Sequence, residues 1–319
     1  MLNIGIIGAG IICERHVQSI LRMKDVKLKA VADIVIERAQ AYTNHDNVNA
    51  YADYKEMIEK EELDAIIINL PHKLHRDATV LAANHGIHVL LEKPMATSAE
   101  DCRAMMKAAK ENNIKLMIAH IQRYFSHNRK VKEWVQSGEL GKLVAITDTR
   151  NLHYFSEQRP KWFLDKEMAG GGIFMNLGAH SLDKIRWIVD SKIVKVEGKP
   201  SYYKEGYQVE GSAQAFIEME NGVTASITCT GYNVPSYDET HYYFTNGAIK
   251  KCKEGLFVSK EANGYEKIEL EDDSNAFFMQ LSDFINSIQK DIEPVITGEY
   301  GLEIIETIEK VYEKSTLEG

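Results

Sequence analysis

Short apolar runs alternate with stretches of helical spacing along the first 120 residues. Residues 4–7, 28–32, 65–69, 88–91 and 116–119 read as buried strands, rich in Ile, Val, Leu and Ala. Residues 16–23, 54–60, 76–85 and 99–112 carry helical spacing, the last with Ala104, Ala108 and Ala109 on a small-residue face. Such short strands separated by helices predict a doubly wound parallel sheet, with the loop 70–75 following the strand at 65–69.

From residue 121 the pattern changes. A helix is predicted over 125–137, with Trp134 and Val135 on its apolar side and Gly138-Glu139-Leu140-Gly141 as its stop. Segments of β type follow at 143–150, 194–203, 212–220, 223–232, 239–244, 248–252 and 256–259. Glu220-Asn221-Gly222 and Thr245-Asn246-Gly247 read as hairpin turns in which Asn-Gly accepts positive φ. Hairpin-joined strands make a large open sheet, mostly antiparallel. One face packs on helices, and an apolar second face suits another subunit, in a homodimer or homotetramer. Helical spacing returns at 277–289 and 301–314. The expected organisation is an α/β chain of two domains. Residues 1–120 form the doubly wound domain and 121–319 an α/β domain with the open sheet and its oligomer contacts, joined by a short crossing near residue 120.

Composition narrows the function classes. A chain of 319 residues with 44% hydrophobic and 27% charged residues has the make-up of an ordinary folded protein. Its net charge of −9 and lack of a basic block argue against a nucleic-acid partner. No apolar run is long enough for a bilayer, which argues against a membrane partner. A strand starting at Met1-Leu2-Asn3-Ile4 leaves no room for a signal peptide. The four cysteines are scattered without metal-type spacing, as reduced thiols would be, so the expected compartment is the cytoplasm. The close pairs His72/His75 and His85/His88 have no cysteine or carboxylate cluster beside them, and no metal is expected.

Two stretches carry candidate chemistry in the first half. Gly8-Ala9-Gly10-Ile11-Ile12-Cys13 follows the first strand and opens the first helix. Gly8 permits a tight turn and Gly10 lets backbone approach a pyrophosphate, with the N–H groups near Ile11 and Ile12 at the positive end of the helix. Cys13 stands where a third glycine is usual, a position that asks only for a small side chain. Asp33 ends the second strand at the spacing where a carboxylate accepts hydrogen bonds from ribose hydroxyls. It would repel a 2′-phosphate, and Ile34-Val35-Ile36 offers no cation, which favours NAD over NADP. A helix-capping role for Asp33 is compatible with this one. At the same carboxyl edge lie Glu92-Lys93-Pro94 and the loop Leu70-Pro71-His72-Lys73-Leu74-His75. Pro71 and His75 are placed to line a nicotinamide pocket, or His75 is a first-turn helix residue facing water.

The second half holds Ala169-Gly170-Gly171-Gly172 followed by a helix with Asn176 and His180 at i, i+4 on one face. That arrangement suits the reacting end of a cleft; a buried, satisfied His180 with Asn176 as a cap is the alternative. Arg123-Tyr124, His153-Tyr154-Phe155 and Lys161-Trp162-Phe163 are placed to line the cleft. Aromatic rings such as Trp162 stack on sugar faces, and Arg123 or Lys161 would meet a carboxylate or phosphate.

Together Gly8-Ala9-Gly10, Pro71 to His75, Glu92-Lys93-Pro94, Ser137 to Gly141 and Gly170 to His180 resemble the glucose–fructose oxidoreductase/inositol dehydrogenase family (Gfo/Idh/MocA) over nearly the whole chain. The resemblance implies a Rossmann domain, a second domain whose open sheet often carries the oligomer contact, and hydride transfer between NAD(P) and a sugar-like alcohol or ketone. It implies action through Lys93, with Glu92 beside it at the cofactor, and through His180. Many sugar dehydrogenases of the family carry aspartate where this chain has Asn176, which can orient a hydroxyl but cannot hold a proton. In the implied mechanism His180 is the general base and Lys93 steadies the growing alkoxide. The alternative is a sensor of the same fold that binds dinucleotide and ligand without chemistry.

Overall fold

Fully buried isoleucines build the first sheet of the computed structural model, which describes residues 1–45 and 47–313. Strands β1 (Leu2–Ile7), β2 (Val26–Ala32), β3 (Asn49–Tyr51), β4 (Ala65–Ile68), β5 (His88–Leu91) and β6 (Leu116–Ile118) pair in parallel in the order β3-β2-β1-β4-β5-β6. Ile4, Ile6, Ile66, Ile67 and Ile68 are all inaccessible. Helices cover both faces of such a sheet, so its strands are continuous apolar runs rather than alternating ones. Each buried isoleucine contributes roughly 1.5–3 kcal/mol.

The helices of this sheet are α1 (Cys13–Leu21), α2 (Ile36–Gln40), α3 (Tyr54–Lys60), α4 (His75–Asn84) and α5 (Ala99–Glu111). Helix α1 starts at Cys13, ahead of the expected residue 16, because Cys13, His16, Val17 and Ile20 together form its buried side. The polar edge strand β3 and the short α2 show no apolar run in the sequence. Strand order reverses between β1 and β4, and ligands of such sheets gather at the crevice beyond that reversal.

The compact unit around this sheet comprises Met1–Ile121 and Ser274–Glu303. Residues 274–303 therefore belong with the first sheet, where the apolar pattern assigns them to the second domain. The reason is packing. In the helix Ala276–Gln289, Phe277 meets the His16 ring edge-on at 5.5 Å, and Arg22 sits 4.6 Å over the ring of Phe278.

The second unit comprises Gln122–Asp273 with the described residues from Ile304 onward. Lys314, the expected last residue of the final helix, lies outside the described residues; the helix is described as Gly298–Glu313. Helix α6 (Ser126–Ser137) ends at Gly138, which takes φ 69°. Strands β7 (Leu143–Asn151), β8 (Ile193–Ser201), β9 (Ser212–Met219), β10 (Thr224–Thr230), β11 (Tyr237–Phe244), β12 (Gly247–Cys252), β13 (Gly255–Lys260) and β14 (Glu266–Ile268) form one sheet in the order β14-β13-β12-β11-β7-β10-β9-β8. Only β7 and β10 run parallel among its neighbours. Ile146, Ile217, Ile227, Tyr242 and Ile249 are buried on one face, while Phe216, Tyr237 and Tyr243 stand exposed on the other.

Both Asn-Gly hairpins form, with different turns from those expected. Gly222 takes φ 86° and Asn221 does not go positive; the Gly222 N–H donates to the Met219 carbonyl, as in a type I turn closed by a glycine bulge. At the second hairpin neither Asn246 nor Gly247 has positive φ. Glycine is needed there for room, since a Cβ on Gly247 would lie 2.5 Å from the Ser259 carbonyl oxygen.

Charge is buried under this sheet. The Lys184 ammonium reaches Asp148 at 2.5 Å and the Thr240 hydroxyl at 2.6 Å, with all three residues at most 2% exposed. His127 of α6 lies at the edge of this group, 3.6 Å from Asp273. Burial, reinforced by the Lys251 and Lys184 ammonium groups, pulls its imidazole down to about 4, against the opposing pull of Asp273. Between that value and the ordinary 6.5 the unfolded chain binds the extra proton, so stability falls as pH drops through this window. The melting temperature, followed from pH 7 to pH 4, should fall more steeply for the parent than for His127→Asn.

Candidate active site

The glycine loop after β1 is shaped by its neighbours on one side and open on the other. Gly8 takes φ 93°, and a Cβ there would come 2.6 Å from the Asn69 carbonyl oxygen at the end of β4. At Gly10 a Cβ would meet no atom within 4 Å, so the room at Gly10 is not used by this chain. Asp33 stands behind the loop, its carboxylate accepting the Ala9 N–H at 2.8 Å and the Val35 N–H at 2.9 Å. Ile11 and Ile34 flank the loop almost fully exposed. Helix α1 begins with no side-chain cap, which leaves its amino end to an anion. A cradle open at Gly10, an acceptor fixed at the end of β2 and bare apolar side chains beside both fit a dinucleotide. Arg38, two residues beyond Ile34-Val35-Ile36, adds a cation: its Nη1 lies 4.0 Å from the Asp33 carboxylate. Cys13, in the place of the third glycine, is buried, and that burial raises its thiol to about 12.

Lys93 is held from behind by residues that do not themselves face outward. It follows β5, half-buried, and its peptide bond to Pro94 is cis. The Glu92 carboxylate accepts the Lys93 N–H at 3.1 Å and lies 3.2 Å from Nε2 of the fully buried His16 on α1. Burial pushes the Glu92 carboxyl up, but the His16 bond and the Lys93 charge outweigh it and hold it below its ordinary value. His75 is fully buried, so it does not face water, and its ring is closed to a ligand. Its Nε2 lies 2.8 Å from the Leu70 carbonyl oxygen, and its Nδ1 lies 3.1 Å and 3.2 Å from those of Pro94 and Met95. The ring pins the loop beginning at Pro71 to the turn that carries Lys93.

In the second unit the three glycines do separate jobs. Gly170 ends the short helix α7 (Lys166–Ala169) with φ 78°. A Cβ on Gly171 would lie 2.3 Å from the Tyr312 hydroxyl, and one on Gly172 would lie 2.1 Å from the Glu210 carbonyl oxygen. Glu210, 1% exposed, accepts the N–H of Gly172 at 2.6 Å, the N–H of Phe174 at 2.8 Å and the Tyr312 hydroxyl at 2.8 Å. These N–H groups belong to the first turn of the following helix, which has no i−4 carbonyl to use. Burial raises the Glu210 carboxyl despite its donors. Nothing in the sequence marks this residue, which lies on a turn before β9, far along the chain.

The helix so anchored is not α-helical at its start. Residues Phe174–Gly178 form a π turn, in which the Ala179 N–H donates to the Phe174 carbonyl, before α8 (Ala179–Val189) continues. Such turns recur at functional sites. Asn176 and His180 are both half-buried here, while Phe174, Met175, Gly178 and Ala179 are buried. Trp162 stacks on Phe163 with ring centres 3.7 Å apart. Arg123 lies instead 6.0 Å from the ring of Trp187, and Tyr124, 4% exposed, is a packing residue closed to a ligand. Gly172→Ala should move the turn and the two side chains beyond it, at a cost of about 1–3 kcal/mol for an overpacked core. A denaturant titration against the parent checks it.

The comparisons fit these two units. Residues 2–120 match the oxidoreductase family with an NAD-binding Rossmann fold, and residues 128–250 match the GFO/IDH/MocA C-terminal domain. The chain is 25% identical over 312 residues to 1,5-anhydro-D-fructose reductase of Ensifer adhaerens, covering 93% of this chain and 91% of that protein. It is also 25% identical over 338 residues to D-glucoside 3-dehydrogenase of Escherichia coli K12, covering 98% and 95%. Levoglucosan dehydrogenase, solved in complex with NADH, shares the fold with a TM-score of 0.89 at 20% identity, over 100% of this chain and 98% of that one. With both units matched to one family and the motifs of each in place, the chain belongs to the Gfo/Idh/MocA oxidoreductases.

Proposed function

We propose that this protein is a nicotinamide-dependent dehydrogenase or reductase that interconverts a secondary alcohol and a ketone on a sugar-like molecule, with Lys93 and His180 handling the proton and the oxygen. The observation that carries the reading is the loop at Gly8–Gly10, open at Gly10 and tied to Asp33 behind it. The relatives named as a reductase of 1,5-anhydro-D-fructose and a dehydrogenase of D-glucosides support the substrate class.

A nicotinamide dinucleotide supplies the hydride acceptor or donor when bound. Gly8, Gly10 and the N–H groups of Ile11 and Ile12 hold its phosphates, and Asp33 accepts from its ribose hydroxyls. NAD is preferred over NADP, because a 2′-phosphate would meet the Asp33 carboxylate; the nearby Arg38 softens that repulsion. His180 takes the substrate hydroxyl proton as general base, since an ordinary imidazole titrates near neutral pH. Lys93 donates a hydrogen bond to the same oxygen as alkoxide character grows. Asn176 orients a neighbouring hydroxyl and carries no proton. In the reducing direction His180 returns the proton. A homodimer or homotetramer through the open face with Phe216, Tyr237 and Tyr243 belongs to the same reading.

Gly10→Ala adds a methyl group where the chain itself has nothing, so the melting temperature should stay at the parent value while NADH binding weakens. Fluorescence titration of NADH alongside thermal melts reads both. Lys93→Ala and His180→Ala should each lower kcat by on the order of 10²–10⁴. Initial rates at the reduced-nicotinamide band, over a panel of sugars and polyols, test this; variants within a few-fold of the parent would remove the two residues from the mechanism.

A further inference from the structure

We propose that Arg159 binds an anionic group of the substrate, a carboxylate or a phosphate, beside the glycine turn that presents Asn176 and His180. That the bound anion belongs to a substrate rests on the oxidoreductase reading; that Arg159 binds an anion does not.

Arg159 is half-buried, with its guanidinium 4.0 Å above the ring of Tyr154 and 5.1 Å from that of Phe163. Among the described residues no carboxylate comes within ion-pair distance of it, and its buried Nε makes no hydrogen bond. Burial lowers its pKa, against an opposing pull from Tyr154. Taking a charge out of water is costly unless an opposite charge meets it. Three other covered cations in this unit have such partners: the buried Lys184 has Asp148, and Arg150 and Lys251 share Asp238. Arg159 has aromatic rings in place of a carboxylate, and a guanidinium over a ring keeps N–H groups that can meet an oxyanion.

Its surroundings tie it to the candidate site. Tyr154, inaccessible itself, packs where a Cβ on Gly231 would lie 2.5 Å from the Tyr154 Cβ and 3.0 Å from Ile173. Ile173 is the residue that enters the π turn of Asn176. Phe163 belongs to the 3-10 turn Lys161–Leu164, which runs through α7 into Gly170. Thus Arg159 rests on rings that are one side-chain layer from the turn. The cations marked by sequence alone fit less well, since Lys161 is exposed and Arg123 lies by Trp187.

The test compares glucose, glucuronate and glucose 6-phosphate, by calorimetric binding to the full chain with NADH present and by turnover with NAD. At least one of the two anions should bind ten-fold or more tighter than glucose, and Arg159→Gln should erase that advantage while leaving glucose unchanged. Arg159→Lys, which keeps the charge but loses the fork, should retain part of it, and it serves as the comparison if the glutamine variant fails to fold. Which anion is favoured separates carboxylate from phosphate. Equal binding of all three, failure of both anions to bind, or an anion preference that survives in Arg159→Gln would overturn the proposal. Anion binding that depends on Arg159 without turnover of any sugar would uphold it and count against the oxidoreductase reading.

Discussion

The candidate site of the second unit depends on one contact, the Glu210 carboxylate against the turn at Gly172. A side chain at Gly172 has no room beside the Glu210 backbone, and without the carboxylate the N–H groups of Gly172 and Phe174 would have no acceptor. The contact fixes where the helix starts and how it is rolled about its axis. Because the first turn is π-helical, that roll decides which way Asn176 and His180 point. Tyr312, donating to the same carboxylate, brings the end of the chain into this one polar knot.

The first unit anchors the turn that carries Lys93 by comparable means with different parts. Glu92 is spent on His16 and on the Lys93 N–H, and His75 is spent on three carbonyl oxygens. Neither side chain is left free for a ligand, yet each limits how far the Lys93 turn can move. In both units the groups that meet solvent are backed by covered polar residues whose hydrogen bonds run to backbone and to other side chains. An unsatisfied polar group in such a place would cost about 1–3 kcal/mol, and that asymmetry keeps the arrangement in one geometry.

The first sheet was legible because strands covered on both faces leave unbroken apolar runs, as in Ala65–Ile68. Edge strands carry no such mark, so Asn49–Tyr51 was invisible, as was Glu266–Ile268. The antiparallel sheet was legible from alternation and from its Asn-Gly pairs, although Gly247 is a glycine for reasons of space rather than φ. Motif positions such as Gly8, Asp33, Lys93 and His180 could be named because their spacing along the chain is local. Glu210, His16 and Arg159 could not, since each gains its role from contacts remote in sequence. The helix Ala276–Gln289 falls in the unit of the first sheet although the sequence pattern groups it with the second domain, because helical spacing says that a helix has a buried face, not which partner buries it.

Cys13 has one more implication. It stands at the mouth of the nucleotide loop, yet its thiol is buried beneath Tyr42 and stays protonated across the physiological range. Since thiolates, not thiols, attack electrophiles, the loop carries sulfur without carrying its reactivity. Modification of this sulfur by an alkylating reagent would therefore report how often helix α1 lifts away from the sheet, a natural gauge of opening at the nucleotide end that needs no label to be engineered.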